Sequence, residues 1–178
     1  MKIKASGILI AAITSVFITQ SAFATDGTIT INGAITDTTC GVSVNNGTND
    51  ATVTLPTISS SALGSANAVA GTTPFTIALT GCTGSTLSNA YAHFESGATV
   101  ETATGRLNNS GSAANVQVRL LNKNSLPILV GSASQSDVKE DISTGSATLN
   151  YYAQYFTPNG SVGPGTVAAQ VEYTMIYD

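Results

Sequence analysis

The run Thr166-Val167-Ala168-Ala169-Gln170-Val171-Glu172-Tyr173-Thr174-Met175-Ile176-Tyr177-Asp178 alternates almost without a break. Val167, Ala169, Val171, Tyr173, Met175 and Tyr177 share one parity, Thr166, Ala168, Gln170, Glu172, Thr174 and Asp178 the other, and only Ile176 is out of step. Successive side chains on a strand point to opposite faces, so this spacing predicts a long, half-buried β-strand. The sequence stops on that strand, and the reading therefore expects its second edge to be covered from elsewhere.

Working outward, the same two-residue period recurs. Leu149, Tyr151, Ala153 and Tyr155 form one apolar face, Phe75, Ile77 and Leu79 another, and Val116, Val118 and Leu120 a third. Val53 and Leu55 point one way in a run over 52–58, and shorter apolar runs lie at 90–95 and 127–130. Between them stand breakers: Asn45-Asn46-Gly47-Thr48-Asn49-Asp50, the stretch 71–74, a Ser/Gly/Asn loop at 108–114 and the turn-rich stretch 158–165. No segment has a convincing helical period, though 59–70 is rich enough in Ala for one short turn of helix. Short strands between turn clusters, with no repeat and no internal boundary, predict one all-β domain, an immunoglobulin-like antiparallel sandwich.

The amino-terminal end carries a different signature. Lys2 and Lys4 precede an apolar run from Gly7 to Ile18, and Ala22-Phe23-Ala24 has the small residues of a signal-peptidase site. The apolar run is too short to span a bilayer, so residues 1–24 are expected to be a removed signal peptide and not a membrane anchor. Losing Lys2 and Lys4 takes the formal charge from -4 to -6. Cys40 and Cys82 are the only cysteines, an even number in a chain bound for an oxidising compartment, and they are expected to pair. A redox pair is the alternative, although their spacing is far from C-x-x-C.

Composition narrows the function. Only 9% of residues are charged, and the sequence pI near 4.7 provides no basic patch, which argues against nucleic acid as a partner. One His and two distant Cys supply no metal ligand set, and no cofactor or metal is expected. A Ser-His-Asp set would need His93, yet no serine has a G-x-S-x-G context, so no catalytic residue is assigned. Asp137, Glu140 and Asp141 with Lys139 read as a solvated loop, since they lack calcium-ligand spacing.

A second alternating strand lies just behind the signal peptide. In Gly27-Thr28-Ile29-Thr30-Ile31-Asn32-Gly33-Ala34-Ile35, the residues Ile29, Ile31, Gly33 and Ile35 share one face. Taken alone this is an ordinary first strand of its own sheet, and the final strand an ordinary core strand. Together, an apolar strand outside the Cys40–Cys82 loop and a last strand without a neighbour suggest that one molecule fills the groove of another by strand addition.

In order and spacing these elements resemble the chaperone-usher pilus subunits, the type 1 and P fimbrial pilin family. The residues that carry the likeness are Gly27 to Gly33 ahead of Cys40, Phe75-x-Ile77-x-Leu79-x-x-Cys82, and a carboxy-terminal motif with Tyr177 penultimate and Gly165 fourteenth from the end. The resemblance implies an incomplete immunoglobulin-like β-sandwich lacking its last strand, completed by a donor strand from another chain. It implies residues 25–37 as donor extension, with Ile29, Ile31 and Ile35 inserted and Gly33 where only a hydrogen fits, and residues 38–178 as the pilin domain. Gly165, Val167, Ala169, Val171, Tyr173, Met175, Tyr177 and Asp178 would form the acceptor groove and chaperone-binding strand. The implied partners are a periplasmic chaperone, an outer-membrane usher and neighbouring pilin subunits, on a route through the periplasm to a cell-surface fimbria that supports adhesion. A minor or adhesive single-domain subunit that binds a host receptor directly is the alternative.

Overall fold

A computed structural model of the chain describes residues 29–84, 88–136 and 138–178. The expected signal peptide at 1–24, the first residues of the donor extension and Asp137 lie outside the described residues. The chain divides into two units, Met1–Ala34 and Ile35–Asp178. In the first, residues 29–34 join no sheet, and Ile29 and Ile31 are almost fully exposed.

The second unit contains two antiparallel sheets, built from β1 (Thr39–Val44), β2 (Val69–Thr83), β3 (Asn89–Phe94), β4 (Val100–Glu101), β5 (Arg106–Asn108), β6 (Gln117–Leu121), β7 (Glu140–Asp141), β8 (Ser146–Phe156) and β9 (Tyr173–Tyr177). The larger sheet has the order β1-β2-β8-β6-β5-β4 and the smaller β7-β3-β9. One 3₁₀ turn, Ser60–Leu63, capped by the Ser59 side chain, falls in the stretch where a short helical turn is expected.

The alternating faces meet between the sheets. Phe75, Ile77 and Leu79 of β2 and Leu149, Tyr151 and Ala153 of β8 are buried against Ala90, Ala92 and Phe94 of β3, with Val118 and Leu120 of β6 in the same core. Tyr151 stacks on Phe75 at 5.5 Å between ring centroids and meets Phe94 edge-on at 5.1 Å. Tyr155 is only half-buried, because β8 there leaves the main core for a second cluster around Leu63, Ala113 and Val116.

Cys40 on β1 and Cys82 on β2 are disulfide-bonded, Cα to Cα 4.1 Å. The register of β1 on β2 shifts between Thr39 and Gly41, which brings Cys40 beside Cys82.

The stretch 71–74 does not end a strand, as its Gly and Pro predict. It is an irregularity within β2, whose pairing with β8 shifts between Ala70 and Thr73, and Gly71 has φ 66°. Pro74 is tolerated because β1 reaches only as far as Ile77, so the missing N–H faces no ladder partner. The run 127–130 forms one bridge, Leu121 to Pro127, and no strand.

Candidate strand-accepting groove

Among the described residues β9 lies at the edge of its sheet and pairs with β3 alone. Its hydrogen bonds have a strict parity. Asp178 N–H donates to Asn89 C=O at 3.0 Å and Asn89 N–H to Asp178 C=O at 2.9 Å, while Glu95 N–H donates to Glu172 C=O at 2.9 Å. Further back, the C=O groups of Ala168 and Thr166 accept from Ser110 and Ala113 at 2.8 and 3.0 Å. Gln170 C=O accepts from Thr99 Oγ1 at 2.8 Å. Each of these is an even-numbered residue. On an extended chain the intervening N–H and C=O groups point the opposite way, so those of residues 167, 169, 171, 173, 175 and 177 face the open edge.

The sequence expectation of one strand over 166–178 is therefore corrected in extent. Only Tyr173–Tyr177 is a strand. Residues 166–172 are held by a loop and by side chains: Asn109 Oδ1 accepts from Ala168 N–H at 2.8 Å and Ser112 Oγ from Thr166 N–H at 3.0 Å. A loop cannot supply the regular row of partners that a ladder needs.

Val167, Val171, Tyr173, Met175 and Tyr177 are all half-buried and packed on the core, which makes a wall that is neither covered nor free. Ala169 departs from expectation and is exposed, its methyl standing off the core where the chain follows the 109–113 loop. Asp178 is exposed, and its side chain pairs with Lys139, whose ammonium also stands 5.8 Å over the Tyr91 ring. Gly165 has a structural reason in this chain alone, since an added Cβ would stand 2.5 Å from the Ala113 nitrogen.

The groove has a second wall that the sequence does not announce. After β1 the chain turns through Asn45 and Asn46, at φ 49° and 61°, with Asn45 N–H donating to Thr76 C=O at 3.0 Å. Residues 51–58 then run without a strand partner, and no backbone hydrogen bond is made by them among the described residues. Val53, Leu55 and Ile58 are half-buried, while Thr52, Thr54 and Pro56 are exposed. Val53 and Leu55 pack on the same core as the C-terminal wall. Ile58 and Val167 share the second cluster, so the two stretches approach each other there. The Val53/Leu55 alternation was the available signal, but a period of two does not tell which neighbour a strand has, or that it has none.

One side chain joins the walls: Tyr173 Oη donates to Asn49 C=O at 2.8 Å. Burial, reinforced by the carboxylate of Asp50, raises the Tyr173 phenol above its ordinary pKa. Ile29, Ile31 and Ile35 are all exposed, and an added Cβ at Gly33 would meet nothing within 4 Å. The site thus presents unpaired backbone on both walls over a strip of half-covered apolar side chains. Such a surface is suited to pairing with an extended segment whose alternate residues are apolar. Among the described residues no three His, Cys, Asp or Glu gather as metal ligands.

Residues 55–178 match the family model described as FimA: Type-1 fimbrial protein, A. The chain is similar to the major fimbrial subunit SMF-1 of Stenotrophomonas maltophilia, 45% identical over 167 residues that cover 89% of this chain and 96% of the relative. It is 39% identical to the F17 fimbrial protein of Escherichia coli, over 96% of this chain and 95% of the relative. Among solved structures it resembles the P pilus rod subunit PapA, with TM-score 0.61 at 17% identity over 78% of this chain and 99% of that one. It also resembles a subunit of a chaperone-usher pilus whose structure addresses rod uncoiling, with TM-score 0.60 at 18% identity over 89% and 99%.

Proposed function

The chain belongs to the type-1 fimbrial protein family, an all-β fold of the incomplete immunoglobulin-like kind, and from that premise we propose that it is a pilus subunit polymerised by donor-strand exchange. The segment 25–37 of one copy is the donor. It enters the groove of the next copy between residues 51–58 and 167–177, with Ile29, Ile31 and Ile35 turned inward. Before polymerisation a periplasmic chaperone lends a strand to the same edge, and an outer-membrane usher directs the exchange. The product is a cell-surface fimbria supporting adhesion.

The observation that carries this reading is the parity of the last stretch: every even-numbered backbone group named above is bonded, and the odd-numbered ones face an edge that no strand among the described residues covers. A free strand edge beside half-buried apolar side chains is an association surface unless it is covered. Burying three isoleucines contributes roughly 5 to 9 kcal/mol before association costs are subtracted. That is of the order of a whole domain's stability, about 5 to 15 kcal/mol. Docking is therefore expected to change a marginal subunit into a firmly folded one.

The test is thermal unfolding of the mature subunit with and without a synthetic peptide of residues 25–37. A large rise in melting temperature that saturates with peptide is expected. A stable monomer whose melting temperature ignores the peptide would overturn the reading.

A further inference from the structure

Asn-Gly pairs occur at 32–33, 46–47 and 159–160. Such a pair is prone to react with itself: the glycine nitrogen attacks the asparagine amide carbon, and glycine has no side chain to obstruct the approach. All three asparagines are exposed, so exposure does not separate them. What separates them is the nitrogen that follows.

Gly47 N–H donates to Val44 C=O at 2.9 Å, in a turn that sets Asn46 at φ 61°. Gly160 N–H donates at 2.9 Å to the hydroxyl of Thr157, and both residues are buried. Attack requires the nitrogen to give up its proton and turn towards the amide carbon of the preceding side chain, and at these two sites that costs a hydrogen bond. Gly33 differs. Its N–H makes no hydrogen bond among the described residues, residues 29–34 join no sheet, and an added Cβ there would meet nothing within 4 Å.

We propose that Asn32 is a site of spontaneous deamidation, the one of the three pairs that the fold leaves reactive, and that the reaction retires the segment 25–37 as a donor. The Gly33 nitrogen bonds to Asn32 Cγ and loses its proton, ammonia leaves, and a cyclic imide closes. Water then opens the ring at one of its two carbonyls. Opening at the side-chain carbonyl gives aspartate, and opening at the main-chain carbonyl gives isoaspartate, whose backbone runs through Cβ and Cγ and is longer by one carbon. The balance is one water consumed and one ammonia released, with no oxidant or reductant.

The loss of donor function rests on the donor-strand reading above. Asn32 has the parity opposite to Ile31 and Gly33, so an aspartate there faces away from the groove. The extra carbon of isoaspartate instead puts the later residues out of step, and Gly33 and Ile35 no longer share the face of Ile29 and Ile31. A docked strand is held by its ladder much as Gly47 and Gly160 are held by their bonds, so the reaction acts on subunits that remain undocked.

The test incubates the mature subunit, isolated as a monomer, at neutral pH and body temperature, in buffer and in guanidinium. Each pair is followed by peptide mapping with mass detection and an isoaspartate assay. In buffer Asn32 is expected to react within threefold of its rate in guanidinium, and Asn46 and Asn159 at least tenfold more slowly than theirs. Each site is compared with itself, which removes the effect of neighbouring residues. Protection of all three in buffer, or of none, overturns the assignment. Fluorescent peptides of residues 25–37 then test the consequence on fresh subunit. An Asn32→Asp peptide is expected to bind within threefold of the natural one, and a peptide with isoaspartate at that position at least tenfold more weakly. Equal binding of all three overturns the loss of donor function and leaves the donor-strand reading standing. If the natural peptide does not bind, the donor-strand reading falls and the loss of donor function with it, while the map alone decides the site.

Discussion

The backbone N–H of Ala92 donates to the hydroxyl of Tyr151 at 3.3 Å, a bond from the middle of β3 in the small sheet to β8 in the large one. Beyond its short pairing with β7, this edge of β3 is closed by side chains. Gln135 accepts from Phe94 N–H at 3.0 Å and donates to Phe94 C=O at 2.9 Å. β3 is thus covered on the side away from β9, and β9 stands at the opposite edge of the small sheet.

Tyr151→Phe keeps the ring contacts but leaves the Ala92 N–H buried without an acceptor, and is expected to cost about 1 to 3 kcal/mol in denaturant unfolding. A loss within error would show that water replaces the hydroxyl.

Alkali tests the same residue. Burial pushes the Tyr151 phenol from 10.0 up to about 12. The folded protein therefore holds a proton that the unfolded chain releases first, so this contribution is whole below pH about 10 and is lost as pH rises towards about 12. A two-unit shift corresponds to about 3 kcal/mol. Tyr173 acts in the same direction. Melting temperature measured from pH 8 upwards should fall steeply in the wild type and less steeply in Tyr151→Phe.

The Cys40–Cys82 bond closes a loop with sequence separation 42. The chain-entropy relation gives about 4 kcal/mol for such a loop. Cys40→Ser with Cys82→Ser is expected to lower the unfolding midpoint in guanidinium accordingly, and a thiol assay on the native wild type should detect no free thiol.

Gly111 and Gly165 let the 109–113 loop and the C-terminal stretch touch. An added Cβ at Gly111 would lie 2.2 Å from the Thr166 carbonyl oxygen, and one at Gly165 2.7 Å from the Ser112 carbonyl carbon. Gly111→Val is expected to separate these segments and expose the amides of Ser110 and Ala113, read as faster hydrogen exchange at those two positions while β2 and β8 stay protected.

On the outer face of the large sheet, Arg106 and Arg119 flank the buried Phe156 ring at 4.4 and 5.0 Å. The Gln154 oxygen accepts from Arg119 Nη2 at 2.7 Å and Nε at 3.0 Å, and its nitrogen donates to Thr72 Oγ1 at 2.9 Å. Gln154→Leu removes both acceptor contacts of a half-buried guanidinium and is expected to cost about 2 kcal/mol, since bonds to charged groups contribute roughly 1.5 to 3. Chemical denaturation measures it.

Much of this was legible in the residues themselves. The faces Phe75/Ile77/Leu79, Leu149/Tyr151/Ala153 and Val116/Val118/Leu120 are buried as their alternation requires, because a pleated strand leaves no freedom over which face a side chain takes. The disulfide followed from cysteine count and compartment, and the all-β class from strands between turn residues. What sequence could not supply is neighbourhood. Residues 52–58 and 166–172 alternate like strands, yet tertiary structure gives them no ladder, since hydrogen-bond partners lie far away in the chain and leave no local trace. By its sequence Tyr173 is one wall residue among six; only the folded chain brings its hydroxyl to Asn49, across 124 positions of sequence. Alternation is a local property of the backbone and so is written in the sequence, whereas an edge is defined by what stands beside it and exists only in three dimensions.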